Sequence, residues 1–449
     1  MTVSEEFDWR QFPDTQRWVA QWIKEIVDAV PFLATLQARM RIETGTQLQD
    51  WVDHLALGKA RVTDDELTSL DFDCVSTNTG AVWCHTGGLF PRIRLVQSDE
   101  VHLALKVDSV SDFLFAHQLA AKIDGEEHSP CRTAVVAQSG STTVSVIERH
   151  GVSGMTPITS QPKYIQQATA VYETFRLRRR DFESDQQGFE EAFRLVEAAC
   201  DQIGVDWACS LFFAAEREYW QWRNHAAQIQ GKRQNRLGLG WANHDHHTYR
   251  SSREHFASLI KLLERLGMKC RERFYGGAEA GWGAQVLEQT VAGIVVFADV
   301  DLSPEEVAGD FAHEGLPPHE SLGTVGMWCK LHGEAILQAG MHHLECQFDF
   351  KAARDQLAEQ GIESMKPFTN FDHLKQSFTQ GEKWPVAEKR LERALQQSWI
   401  TEEQAEHFRR EGSLGSHLEI LQRWDGYKGF NQTGISDIIR KTDPRRAIS

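Results

Sequence analysis

Residues 241–250 read Trp-Ala-Asn-His-Asp-His-His-Thr-Tyr-Arg, and positions 244–247 of this stretch hold three imidazoles and one carboxylate in a row. Imidazole is the commonest protein ligand for transition metals, and two histidines with one carboxylate can hold a metal while leaving coordination positions free. The stretch predicts a strand on which His244 and His246 share one face. Either histidine is therefore a candidate ligand, with the other beside the site, and the remaining ligands must come from elsewhere in the chain.

The segments that follow this stretch define a repeating unit. The strand predicted over 240–250 leads into a helix over 252–266 with its apolar residues on one face, and strands are predicted over 283–289 and 293–300. The same order of strand, helix and further strands begins near Asp53, Val101 and Met341 as well. We therefore predict an α+β fold with four repeated βαβββ modules.

Residues 165–231 differ from the rest, because their apolar side chains recur with the 3.6-residue period of helices. This pattern predicts a helical connector between two halves of the chain. We interpret the basic run Arg176–Arg180 as exposed helix surface, since acidic residues follow it at once. The predicted domains are N-terminal helices over 1–50, a module pair over 51–160, the connector over 161–236 and a second module pair over 237–449.

The modules align at their first strands, where each carries a histidine: His54, His102, His246 and His343. The last strands of the two halves align too, and Glu419 of the second half falls opposite Ser145 of the first. A site made of two imidazoles and a carboxylate is therefore predicted only in the second half. The spacing from Gly340 favours His343 over its neighbour His342, but the choice between them stays open.

Composition limits the function classes. The 449 residues carry a net charge of −16 with no basic stripe to counter it, which opposes binding to nucleic acid or to an anionic membrane. No apolar run is long enough to cross a bilayer, and the N-terminus does not have the pattern of a secretory signal. The eight cysteines show no paired short spacing, so we expect a cytoplasmic protein with a small-molecule partner.

These motifs resemble the vicinal oxygen chelate superfamily, and more narrowly the 4-hydroxyphenylpyruvate dioxygenase group. The residues that carry the resemblance are Asp245-His246, the Gly-x-x-His pattern ending at His343, and Glu419-Ile-Leu-Gln-Arg423 followed by Gly429-Phe430. The resemblance covers about the last 210 residues well and the first 160 weakly. It implies two open barrels, a metal-free N-terminal pair of modules, and iron(II) held in the second pair by His246, His343 and Glu419.

The resemblance also implies a chemistry. We expect a non-haem iron(II)-dependent dioxygenase that acts on a 2-oxo acid or a similar chelating molecule, with dioxygen as the second partner. The substrate contacts expected from position are His244, Arg250, Arg423, Phe430 and Asn431. The alternatives are a non-oxidative isomerase or lyase of the same fold that uses zinc, nickel or manganese, and a small-molecule-binding protein without turnover. A homodimer is an assembly that the sequence allows.

Overall fold

Two mixed β-sheets with helices packed against them form an α+β framework. The computed structural model describes residues 9–77, 80–157, 160–277, 280–319, 321–431, 434, 438–439 and 442–446. Residues 1–8 of the predicted N-terminal segment lie outside the described residues. Two helices, broken at Pro31, and a short π-helical turn over Met40–Thr44 precede the first sheet: α1 (Pro13–Ala29) and α2 (Pro31–Arg39).

The first sheet contains two modules joined side by side. Its elements are β1 (Val52–Gly58), α3 (Asp64–Ser69), β2 (Phe72–Thr77), β3 (Gly80–His85), β4 (Arg92–Val96), β5 (Val101–Lys106), α4 (Val110–Ala116), β6 (Cys131–Ser139) and β7 (Thr142–Arg149). The strand order is β2-β3-β4-β1-β5-β7-β6, and β1 pairs antiparallel with β5 where the modules meet. Among the described residues the second module has only two strands after its helix, so it departs from the predicted βαβββ order. An isolated bridge between Asp124 and Thr133 lies where the extra strand was expected.

Four helices form the predicted connector: α5 (Pro162–Leu177), α6 (Asp185–Ile203), α7 (Val205–Trp222) and α8 (His225–Asn235). The interpretation of the basic run as exposed surface was wrong at two positions. Arg178 and Arg180 are buried, and both donate to Glu216 of α7. The arginines alternate between the inside and the outside because the chain from Arg178 to Arg180 is no longer helical.

The second sheet repeats the arrangement of the first. Its elements are β8 (His244–Arg250), α9 (Phe256–Arg265), β9 (Lys269–Tyr275), β10 (Trp282–Gln289), β11 (Ile294–Asp301), α10 (Thr324–His332), β12 (His343–Gln347), α11 (Phe350–Ala358), β13 (Thr369–Asn370), β14 (Leu374–Phe378), β15 (Lys383–Trp384), α12 (Glu388–Gln396), α13 (Glu402–Glu411), β16 (Ser413–Leu414) and β17 (His417–Arg423). The strand order is β13-β14-β17-β12-β8-β11-β10-β9. The pair β15 and β16, with α12 and α13 between them, is an insertion before β17.

The two sheets therefore share one plan, in which the first strands of two modules pair antiparallel at the centre. This arrangement confirms the prediction of an α+β fold built from paired modules. Helix α9 shows how the sequence produces the packing: its leucines and isoleucine at helical spacing are buried on one face, and the chain turns at Gly267 with φ +81°. The strand β9 was missed from sequence because four of its seven residues are charged.

Two global properties complete the description. All eight cysteines are free thiols. No helix in the described part of the chain is both long enough and apolar enough to span a bilayer.

Candidate metal centre

The centre lies on the three neighbouring central strands of the second sheet, β8, β12 and β17. The strand registers place His246, Glu345 and Glu419 in one row and Thr248, His343 and His417 in the next. Residues two apart on a strand point to the same face, so the two rows face one space. The fold therefore brings side chains from three segments that are distant in sequence into one cluster.

The structure brings together the three side chains that the sequence selected. One potential ligand atom from each of His246, His343 and Glu419 lies within 4.8 Å of the others, and all three residues are buried. Glu419 Oε2 is 3.1 Å from His343 Nε2 and 3.9 Å from His246 Nε2. His342 lines the same pocket but is not one of the three, and its Nδ1 is engaged 3.0 Å from the carbonyl oxygen of Gly415.

Glu345 is a second carboxylate at the centre, and the sequence analysis did not select it. Its Oε2 contacts His246 Nδ1, on the side of the ring away from Glu419. The amide of Gln376 donates to Glu345 Oε1 at 3.0 Å and to Glu419 Oε1 at 3.4 Å. A carboxylate that holds one nitrogen of a histidine orients the other nitrogen toward a metal.

The electrostatics of the cluster fit a divalent cation. Burial, together with the neighbouring Glu345, raises the pKa of Glu419 well above its ordinary value. Burial alone lowers the pKa of His246, but the carboxylates of Glu345 and Asp245 outweigh it and raise that pKa to about 10. His343 Nδ1 is buried without a partner. Two imidazoles and two carboxylates confined in one buried cluster form a donor set suited to iron(II), zinc, nickel or manganese.

A pocket lies over the centre, with walls made mainly of aromatic rings. It is lined by Phe274, Trp282, Phe297, Phe368, Phe378 and Phe430, which come from both ends of the sheet. The sheet therefore curves around the pocket, as the predicted open barrel requires. No sequence spacing links these rings, because each comes from a separate strand or loop.

Arg250 and Asp299 face the pocket beside the centre. Arg250, four residues after His246 on β8, lines the pocket and is buried, with Nε and Nη1 unpartnered. In the described part of the chain no carboxylate lies within ion-pair distance of its guanidinium. Asp299 of β11 is opposite it in the strand register, and burial raises the pKa of this carboxyl to about 7.

His244 does not share a face with His246, so that expectation was wrong. In the pairing of β8 with β12 the register shifts between His244 and His246, which leaves Asp245 as the extra residue of a β-bulge. A bulge breaks the two-residue alternation of side chains. His244 accordingly packs against His247 on the other side of the sheet, with ring centroids 5.1 Å apart, and does not line the pocket.

Arg423 is also placed away from the predicted substrate contact. Its guanidinium is 2.9 Å from Asp245 Oδ2 and donates to the carbonyl oxygens of Tyr427 and Gly429. Asp245, the extra residue of the bulge, thus forms an ion pair with Arg423. Arg423 does not line the pocket.

The remaining two predicted contacts, Phe430 and Asn431, do line the pocket. The Phe430 ring lies 5.3 Å from that of Phe297. The Asn431 amide donates to the Phe368 carbonyl oxygen at 3.3 Å, so it holds a loop as well as facing the pocket.

The first sheet has a counterpart of the centre without its carboxylates. His54, Ala104 and Ser145 form the row equivalent to that of His246, Glu345 and Glu419. His102 Nε2 is 2.7 Å from Ser145 Oγ, so an imidazole and a hydroxyl meet where the second half has an imidazole and a carboxylate. The alignment of the halves predicted from sequence is thus reproduced by the strand registers.

The bulge is repeated as well. Asp53 is the extra residue of β1, as Asp245 is of β8, and it pairs with Arg149 as Asp245 pairs with Arg423. The bulge and its ion pair therefore belong to the common framework of both halves, whereas the carboxylates Glu345 and Glu419 belong to the second half alone.

Comparisons with known proteins give remote likenesses only. No protein-family model matches the chain, and no curated protein matches its sequence significantly. A triple mutant of 4-hydroxymandelate synthase from Streptomyces coelicolor is 12% identical, with 88% of this chain and 97% of that chain covered and a TM-score of 0.28. Methylmalonyl-CoA epimerase from Mycobacterium tuberculosis is 13% identical over 40% of this chain and 88% of that chain, with a TM-score of 0.23. A fusion of a xylose isomerase-like TIM barrel with a 4-hydroxyphenylpyruvate dioxygenase is 11% identical over 90% and 53% of the chains, with a TM-score of 0.26.

Proposed function

We propose that the protein is a non-haem iron(II)-dependent dioxygenase acting on a 2-oxo acid or a similar chelating small molecule. The metal ligands in this proposal are His246, His343 and Glu419. The observation that carries it is the meeting of these three buried side chains on the wall of one pocket. When bound, iron(II) supplies positions for the carboxylate and keto oxygen of the substrate and for dioxygen.

Arg250 is the group that we assign to the substrate carboxylate. Its guanidinium is buried, faces the pocket and has no carboxylate partner among the described residues. A buried cation without a counter-ion is costly, and a planar guanidinium binds a carboxylate through two parallel hydrogen bonds. Arg250 thus fixes the end of the substrate that faces the ligands.

The aromatic rings of the pocket have two roles in the proposal. They contact the apolar part of the substrate, and they exclude water from the reacting atoms. Phe297 also packs on His246, with ring centroids 4.3 Å apart, and Phe378 packs on His343 at 5.1 Å. These contacts hold both imidazoles in fixed orientations, which favours a preorganised metal centre.

A metal-dependent isomerase or lyase is the second candidate function, and Asp299 favours it. A carboxyl whose pKa is raised to about 7 exchanges a proton readily near neutral pH, as a general base must. Asp299 lines the same pocket as the metal ligands. In this alternative zinc, nickel or manganese takes the place of iron, and no dioxygen is consumed.

Metal analysis is the first test. We expect about one metal per chain after reconstitution with iron(II), and its loss when His246, His343 or Glu419 is replaced by alanine. His342→Ala is the matched control, since His342 is a buried neighbour of His343 whose Nδ1 is held by Gly415. Metal retention by His343→Ala but not by His342→Ala would mean that His342 is the metal ligand and His343 is not. Less than about a tenth of a metal per chain in the wild type would favour a binding protein without turnover.

Oxygen uptake is the second test. Iron-loaded protein should consume dioxygen with at least one member of a panel of 2-oxo acids. The Arg250→Gln variant should retain metal but need a roughly 10- to 100-fold higher substrate concentration, because it loses a charged hydrogen-bond partner. Turnover of a substrate without oxygen uptake would favour the isomerase or lyase instead.

A further inference from the structure

Two cavities lie where the two halves of the chain meet, apart from the pocket of the metal centre. Their volumes are about 300 Å³ and about 790 Å³, and both are lined by Lys106, at the end of β5, and by His244, at the start of β8. His244 faces this side because the bulge at Asp245 turns it away from His246. The shared wall is therefore a separate environment on the opposite side of β8.

This wall carries cations that lack acidic partners. The side-chain ammonium of Lys106 has no hydrogen bond or ion pair with any described residue, and Asp53 and Asp108 act on its charge only from a longer distance. Arg217 of α7 lines the larger cavity, and its one contact within hydrogen-bond distance is His247 Nε2 at 3.3 Å. No described carboxylate lies within ion-pair distance of either group. Partly buried cations in this situation are destabilising unless an anion accompanies them.

The acidic residues around the larger cavity form no direct ion pair with Lys106 or Arg217, and two of them, Asp112 and Glu127, are exposed. Asp108 accepts from the Trp241 amide, and Glu148 is engaged by Arg132 and His150. Glu218 is exposed and accepts from the Tyr172 hydroxyl at 3.0 Å. Lys106 and Arg217 therefore have no direct acidic partner among the described residues, which leaves both able to bind an external anion.

His244 offers a hydrogen-bond acceptor to a ligand on this wall. Its Nδ1 lies 2.8 Å from the Trp241 carbonyl oxygen, so Nδ1 carries the hydrogen and Nε2 carries a lone pair in the neutral ring. That Nε2 is buried without a partner.

We propose that this wall is a second ligand site, for a small anion that also carries a hydroxyl donor. The anionic oxygens face Lys106 and Arg217, and the hydroxyl donates to His244 Nε2. Phosphate in its protonated forms and hydroxy carboxylates share this chemistry. Sulfate and simple dicarboxylates supply the charge without the donor.

Calorimetric titration of the purified full-length protein with matched anions tests the site. The probes are inorganic phosphate against sulfate, and malate against succinate, at constant ionic strength. We expect phosphate or malate to bind at least roughly tenfold more tightly than its hydroxyl-free counterpart. An anion without a hydroxyl leaves the buried acceptor His244 Nε2 without a hydrogen bond, and this weakens binding. Whichever of phosphate and malate binds with the higher affinity identifies the natural ligand as a phosphoryl compound or as a hydroxy acid.

Substitutions of the cations on the shared wall test whether the anion binds there. Lys106→Gln and Arg217→Gln should each weaken it at least tenfold, whereas Lys106→Arg should retain it. Lys59→Gln, at an exposed lysine of the same half, should bind as the wild type does. Arg250→Gln should also bind normally, since Arg250 belongs to the metal pocket.

Three results would overturn the proposal. The first is no binding of phosphate or malate at millimolar concentration, and the second is equal binding by wild type and Lys106→Gln. The third is equal binding of the hydroxyl-bearing and hydroxyl-free anions. Loss of binding in Arg250→Gln with retention in Lys106→Gln would place the anion at the metal centre, which rejects this site while leaving the proposed function intact.

Discussion

At the scale of single residues, Glu345 decides how well the metal centre is preorganised. It is completely buried and contacts the Nδ1 of His246, whose Nε2 faces Glu419. Glu345→Gln keeps the shape of the side chain and removes its charge. We expect a loss of metal affinity of about 10- to 100-fold, the usual effect of removing a carboxylate that orients a ligand histidine.

Competition with a chromogenic chelator measures this affinity. Glu359→Gln is the matched control, because Glu359 is exposed just after α11 and should leave metal binding unchanged. Unchanged affinity in Glu345→Gln would show that the charge of Glu345 is not needed to orient His246.

Asp50 gives a prediction for the pH dependence of stability. Burial raises the pKa of its carboxyl to about 8, and its Oδ2 has no partner. Between pH of about 4 and about 8 the folded protein keeps a proton that the unfolded chain has released, so this group makes stability fall as pH rises. The slope is at most about 1.4 kcal/mol per pH unit.

Urea unfolding of wild type and Asp50→Asn at pH 5, 6.5 and 8 checks this sign. The variant should gain stability relative to wild type as the pH increases. Asp64→Asn, at an exposed position, should show no such trend. A stability difference that stays constant with pH would mean that Asp50 ionises normally in the folded protein.

At the scale of elements, Glu216 of α7 forms buried ion pairs with Arg178 and Arg180, which follow α5 in the chain. Burial alone raises the pKa of Glu216, but the guanidiniums of Arg180 and Arg178 outweigh it and hold that pKa below its ordinary value. Glu216→Gln leaves two buried cations without a counter-ion. We expect a loss of about 3–5 kcal/mol in the free energy of unfolding.

Chemical unfolding followed by circular dichroism measures this loss. Glu218→Gln is the control on the same helix, since Glu218 is exposed and pairs with Arg176 at 3.5 Å. An exposed pair contributes little, so we expect a change below about 1 kcal/mol. Similar effects of the two substitutions would mean that the buried cluster is penetrated by water.

The elements also show which features the sequence could predict. The strands that begin each module were predictable, because a histidine recurs at each start. The ligand cluster followed from aligning those starts with the strand that holds Glu419. Glu345 could have been found by the same alternation, since it lies two residues after His343 on one strand.

Other features had no local signal. The bulge at Asp245 depends on how β8 pairs with β12, a strand about one hundred residues later, so the orientation of His244 could not be derived from alternation. Arg423 was misassigned for the same reason, because its partner is the displaced Asp245. The short strand β14 lies beside a charged insertion and gives too few residues for a period to be recognised.

At the scale of the whole molecule, the two halves have equivalent frameworks and different chemistry. Both contain a bulged aspartate paired with an arginine, and both place two histidines on the central strands. The carboxylate position is occupied by Glu419 in one half and by Ser145 in the other. A neutral hydroxyl does not supply the negative charge that favours a divalent cation beside two imidazoles.

We therefore expect one metal per chain and not two. Ser145→Ala should leave this stoichiometry unchanged, whereas Glu419→Ala should reduce it to below about a tenth although the first half is intact. Metal content by emission spectroscopy and the metal-dependent rise in melting temperature should agree, because an ion that binds only the folded protein stabilises it. Two metals per chain, or loss of metal in Ser145→Ala, would show that His54 and His102 also hold an ion, and the functional difference between the halves would then lie in their pockets.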